Sequence, residues 1–137
     1  MDRRDFICLT AAAATLAPLA ARAAALDYTP GLVEDRLAAG ETLFLDFKAS
    51  WCSTCAAQER VINALLDSDP AYAARVTFIN VDWDTYANDP LTLRLNIPRR
   101  STLVVLRGEA ELGRIVAGTS RDAIKALMDT ALAAAVA

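Results

Sequence analysis

The run "TLFLDF", Thr42 to Phe47, is followed four residues on by "WCSTC", Trp51 to Cys55. Five apolar or β-branched residues around one acid form the pattern of a strand covered on both faces. Beyond Cys52, Val61, Ile62, Leu65 and Leu66 recur at helical spacing to about Asp67, where "SDP" ends the pattern. The two cysteines therefore fall on a strand-to-helix turn, one helical turn apart. This placement demands a β-α unit. It leaves three chemistries for the pair: a redox dithiol, half of a metal site, or a structural staple.

The N-terminal segment narrows the choice. "MDRRDFICLTAAAATLAPLAARAAA" carries two arginines, an apolar stretch from Phe6 to about Ala21, and small residues that fit an A-x-A cleavage pattern. A membrane span needs about 20 apolar residues, more than this stretch offers. Arg3-Arg4-Asp5-Phe6-Ile7 resembles the twin-arginine export motif, although Asp2 stands where Ser or Thr is usual. The alternative is an amphipathic first helix. The expected division is a signal peptide over 1–25, cleaved near Ala23 to Ala25, a domain over 26–137, and a periplasmic destination. Cys8, which lacks a lipid-anchor context, would leave with the signal, so three cysteines become two. Disulfides used as scaffolding close longer loops. The remaining pair is there for chemistry.

With 137 residues there is room for one domain. Removing the signal takes three of 14 basic and two of 17 acidic residues, leaving 11 against 15, a net −4. An acidic chain with a pI near 4.9 and scattered aromatics is no nucleic-acid binder, because phosphate neutralisation needs a basic face. Leu26 to Tyr28 reads as a short strand. Thr29-Pro30 reads as the start of a helix reaching Gly40. Val76 to Val81 and Thr102 to Arg107 are strands, with a short helix between them. Gly108 to Ala110 turns into Leu112 to Val116, and Ser120 caps a last helix striped by Ile124, Leu127, Met128 and Leu132. The order β-α-β-α-β-(short helix)-β-β-α implies an α/β fold with a parallel sheet and a closing antiparallel hairpin at its edge.

A thiolate at a helix N-terminus is stabilised by free N–H groups and positive partial charge. Cys52 is thus expected to be both exposed and activated, with Cys55 in reach of its sulfur. Asp46, inside the apolar run, is expected to be buried, with a raised pKa. Strand alternation puts Lys48 on the same face, beside the Cys52 turn.

At this point the residues resemble a known family. "FLDFKASWCSTC" is similar to the active-site segment of the thioredoxin superfamily, and "STLVVLRGEAELGRIVAGTSRDAIKALMDTAL" to its last two strands and final helix, including Gly118. The likeness covers essentially the whole of 26–137, and exported reductant-relay thioredoxins are similar in pattern. It implies a thioredoxin-like fold, a central mixed sheet flanked by helices with a closing β-hairpin and a C-terminal helix. By that resemblance Cys52 is the nucleophile, Cys55 the resolving thiol, and Asp46 the carboxylate that manages the proton of Cys55. Lys48 completes the catalytic set. Trp51 would be a lid over the disulfide, and Arg99, Arg100 and Ser101 would line the substrate side with a positive rim.

Four departures from the family pattern stand out. Ser53-Thr54 separates the cysteines, no His is present, and Lys48 replaces an aromatic while Phe78 replaces a Lys. Ser101 stands where the family carries a cis-proline, and a trans Arg100–Ser101 bond is expected because a cis non-proline bond costs about 3–4 kcal/mol. The implied activity is thiol–disulfide exchange, in the reducing direction, on disulfide-bearing proteins or small thiols. With no flavin or nucleotide motif, electrons would come from a membrane or thioredoxin-like donor. A monomer is expected, with no cofactor and no resident metal. A Cu(I)-binding metallochaperone on the same fold is the alternative, and a binding module with a vestigial dithiol is a third reading. Asp82, Asp84 and Asp89 lack the spacing of a calcium loop.

Overall fold

The computed structural model describes residues 24–137. The arginine pair and apolar stretch of the expected signal lie outside the described residues. The elements are β1 (Leu26–Asp27), α1 (Leu32–Ala38), β2 (Thr42–Lys48), α2 (Ser53–Ser68), α3 (Pro70–Arg75), β3 (Thr77–Asp82), α4 (Trp83–Tyr86), α5 (Pro90–Arg94), β4 (Thr102–Arg107), β5 (Ala110–Val116) and α6 (Arg121–Ala135). The five strands form one sheet in the order β1-β3-β2-β4-β5. β1, β3 and β2 run parallel; β4 is antiparallel to β2, and β5 to β4.

β2 sits in the middle, with Asp46 opposite Asn80 on one side and Leu103 on the other. Its alternation sorts the core into two layers. Leu43, Leu45 and Phe47 face Val33 of α1 and Leu91 of α5, together with Ile79, Val81, Val104 and Leu106. Phe44 points the other way, with Leu103 and Val105, against Ile62 and Leu65 of α2, Tyr72 of α3, and Ile124, Leu127 and Met128 of α6. Each such fully buried side chain contributes about 1.5–3 kcal/mol, so the platform beneath the cysteines is a rigid one. Asp46 and Lys48 share the α2 face with Phe44.

The structure corrects four local expectations. α1 begins after Gly31, whose φ of 92° no L-residue adopts comfortably, so Thr29-Pro30 does not cap it. "SDP" ends α2 but also starts α3, because the Asp69 carboxylate accepts the Ala71 N–H at 2.9 Å. The single short helix before β4 is two, α4 and α5, and Asp89 caps the second by accepting the Leu91 N–H. β4 is an interior strand rather than an edge, since the hairpin folds back beside β2.

Candidate active site: a dithiol joined by a serine hydroxyl

β2 ends at Lys48, and the chain turns through Ala49 to Trp51 into α2, with Cys52 as the N-cap. The Cys52 backbone is extended (φ −89°, ψ 112°), and its sulfur accepts the Cys55 N–H at 3.2 Å. It does what a capping oxygen does, satisfying an N–H that the first helical turn leaves free. The first turn of α2 carries no acid to oppose a thiolate. Both cysteines are free thiols. Cys52 retains 5 % of its surface against 1 % for Cys55, so the expected exposure of the nucleophile amounts to a sliver. Trp83 and Ala49 pack over the pair.

The loop before β4 faces the cysteines. Arg100–Ser101 is trans, like every described peptide bond, and Ser101 takes the left-handed conformation (φ 65°). Its N–H donates to the Phe47 carbonyl at 2.7 Å, and its carbonyl accepts the Ala117 N–H at 2.8 Å. The Ser101 hydroxyl lies 3.1 Å from the Cys52 sulfur and 3.0 Å from that of Cys55. Gln58, fully buried on α2, donates from Nε2 to the carbonyls of Ser101 (3.0 Å) and Gly118 (2.9 Å), clamping the two loops together.

These contacts separate the two thiols electrically. Burial pushes the Cys52 thiol up, but hydrogen bonds from Cys55, Ser101 and the Cys55 N–H, with help from Arg100, outweigh it and bring it down to about 7. Burial pushes the Cys55 thiol up, and its hydrogen bond to Cys52 adds to this. Cys52 is therefore the sulfur that ionises first, and Cys55 the one held as a thiol.

Asp46 is buried, as expected, and burial raises its carboxyl to about 7. Lys48 lowers it in part, while Glu59 and Cys52 raise it. Its Oδ1 makes no hydrogen bond among the described residues. A pocket of about 70 Å³, lined by Asp46, Lys48, Glu59, Asn80 and Phe78, opens at this carboxyl. Lys48 lies beside Asp46, with its ammonium held by Glu59 at 3.1 Å.

Trp51 is 59 % exposed; its Nε1 donates to the Asp84 carboxylate at 3.0 Å, and the Arg100 guanidinium lies 4.4 Å from its ring. Arg100 Nε is buried with no hydrogen-bond partner among the described residues, next to the dithiol it helps to charge. Arg99 donates to the Arg100 carbonyl and does not reach the sulfurs by any hydrogen bond described. Sequence reasoning missed four neighbours. Gln58 and Glu59 lie on the α2 turn after Cys55, Trp83 covers the sulfurs, and Asp84 holds Trp51. A polar residue inside an apolar helix stripe was the available clue to Gln58.

A β-α turn with an N-capping cysteine, a second thiol one turn on and a buried strand carboxylate define a dithiol protein of the thioredoxin fold. The profile of the thioredoxin family matches residues 31–130, and the chain belongs to that family. It is 34 % identical over 86 residues to thioredoxin H2-1 of rice, Oryza sativa subsp. japonica, an alignment covering 63 % of this chain and 57 % of that protein. Among solved structures it is similar to Trxlp from Edwardsiella tarda EIB202, at 26 % identity and a TM-score of 0.65, covering 76 % of this chain and 98 % of that one. It shares its fold with the germline-specific thioredoxin Deadhead of Drosophila melanogaster, at 24 % identity and a TM-score of 0.61, covering 78 % and 97 %. The Cu(I) alternative finds no support. Among the described residues no group of three or more Cys, His, Asp or Glu side chains is placed to hold a metal ion.

Proposed function

We propose that the protein is a periplasmic thiol–disulfide oxidoreductase working in the reducing direction on disulfides of proteins or small thiols. The observation that carries the reading is the split between the sulfurs: Cys52 caps α2 and accepts the Cys55 N–H, while Cys55 is kept protonated beneath it. The Cys52 thiolate attacks a substrate disulfide, forming a mixed disulfide and expelling one thiolate, which takes a proton from water. Cys55 then gives its proton to the Asp46 carboxylate and attacks the Cys52 sulfur. The protein disulfide forms, and the second substrate sulfur leaves as a thiolate that takes a proton from water. Two protein thiols are oxidised and one disulfide is reduced.

Asp46, with a pKa near neutrality and a pocket at its side, suits a group that takes up and returns a proton. Lys48 positions that carboxyl by charge. Trp51, with Arg100 across its ring and Asp84 at its edge, offers an incoming chain a flat, polar-edged contact beside Cys52, and Arg99 adds charge to the same loop. A thiol near 7 with no imidazolium beside it fits a potential of roughly −200 to −270 mV. The chain would be re-reduced by a membrane or thioredoxin-like donor, and would act as a monomer.

The test is trapping. Cys55→Ser is expected to accumulate mixed disulfides through Cys52, and Cys52→Ser to accumulate none; trapping on a lone Cys55 would reverse the assignment. Export rests on the twin-arginine-like start. Cell fractionation of the full chain is expected to place it in the periplasm, and retention in the cytoplasm would remove that part of the proposal.

A further inference from the structure

The Ser101 backbone is held at both ends, by the Phe47 carbonyl on one side and by Ala117 and Gln58 on the other. Ala117, its hydrogen-bond partner, is left-handed too (φ 62°), so the meeting of the two loops sets the backbone here. The side chain is a separate matter. At φ 65° glycine is the unstrained residue, yet a serine is present, fully buried, with its hydroxyl nearly equidistant from two sulfurs.

A hydroxyl has one proton and two lone pairs. Its proton turns toward either sulfur by a rotation about Cβ–Oγ, without moving a heavy atom. In the reduced protein the charge lies on Cys52, so the Ser101 O–H and the Cys55 S–H both turn toward it. Once Cys52 is tied in a mixed disulfide that charge is gone, and the next one develops on Cys55 at the same distance.

We propose that Ser101 is a catalytic residue of disulfide exchange, its hydroxyl donating first to the Cys52 thiolate and then to the Cys55 thiolate as the reaction moves charge between them. The proposal rests on the oxidoreductase reading and deepens it. No extra proton is needed: the one leaving Cys55 goes to Asp46, and the hydroxyl keeps its own. The titratable groups around Cys52 are Cys55 on α2, Arg100 on the facing loop and Asp46 on β2; of these Cys55 also hydrogen-bonds the Ser101 hydroxyl, so the substitution acts on both sulfurs.

The test uses the full chain and Ser101→Gly, which fits the left-handed backbone and removes only the hydroxymethyl group. Ser101→Ala serves as a second variant, and circular dichroism verifies folding. Thiolate ultraviolet absorbance against pH is expected to show the Cys52 midpoint raised by about one pH unit, leaving about five-fold less thiolate at pH 7. At a pH where Cys52 is ionised in both proteins, release of a fluorescent thiol from its mixed disulfide is expected to slow about ten-fold. Folded variants with an unmoved midpoint and rate would overturn the proposal. A moved midpoint with an unchanged release rate would overturn the transfer to Cys55. A wild-type chain that exchanged no disulfide, while its midpoint still moved in the variant, would instead overturn the oxidoreductase reading.

Discussion

Replacing Asp46 by asparagine tests the cost of keeping a carboxyl beneath the dithiol. The substitution preserves shape, and the site is 6 % exposed, so little repacking is required. In the folded chain burial raises the carboxyl from 3.8 to about 7, so the folded state holds its proton where the unfolded chain has released it. Between these values the unfolded state binds fewer protons, and stability falls as pH rises. Below about pH 4 both states are protonated and the term vanishes; above about 7 both are ionised and it is complete, at about 4 kcal/mol. Asp46→Asn removes the term. Relative to wild type, the variant is expected to gain stability progressively from about pH 4 to 7, by up to about 4 kcal/mol. Urea unfolding of the reduced proteins across that range is the assay, with thiols kept reduced so that the disulfide contributes nothing. Stability curves that ran parallel for the two proteins would refute the reasoning, showing the carboxyl to be no harder to ionise in the fold than out of it. The same variant loses the proposed proton acceptor, so resolution of the mixed disulfide should slow while Cys52 alkylation persists.

Ser101→Pro, which restores the residue usual in the family, is expected to destabilise this chain by about 2–4 kcal/mol. Proline cannot adopt φ 65° and has no N–H for the Phe47 carbonyl; an unchanged melting midpoint would show that the loop passes to another backbone at no cost. Lys48→Met removes the charge that lowers Asp46 and leaves Glu59 uncompensated, so the Asp46 carboxyl should titrate above its present value of about 7. A carbon NMR titration of that carboxyl checks it, and an unmoved midpoint would make Lys48 a partner of Glu59 alone.

Where the chain's own spacing carries the physics, the fold was legible. β2 is covered on both faces and reads as a continuous apolar run; α6 buries one side and shows its stripe together with its Ser120 cap. Asp46 was identifiable because an acid inside an apolar run has nowhere to point but inward. What escaped depends on partners far along the chain. Gln58 meets Ser101 and Gly118, 43 and 60 residues away, and no local pattern announces those contacts. Lys48 was placed on the correct face, yet its ammonium answers to Glu59, one residue past Gln58 on a different element. The contacts of Trp51 with Asp84 and Arg100, 33 and 49 residues away, were equally out of reach of local pattern. α3 was lost because Asp69 closes one helix and caps the next.

The borders of the sheet bear on what such a protein can safely hold. A mixed disulfide ties a client chain to the surface, and an incompletely folded client brings unpaired backbone with it. A long, flat, apolar border strand would pair with that backbone and seed aggregates. Here one border is β1, only two residues long. The other, β5, is interrupted by a bulge opposite Val105/Leu106 and carries the Glu111–Arg114 ion pair. Neither offers a visiting strand a straight run to zip against, so under the proposed activity a covalently captured client would depart by the sulfur alone.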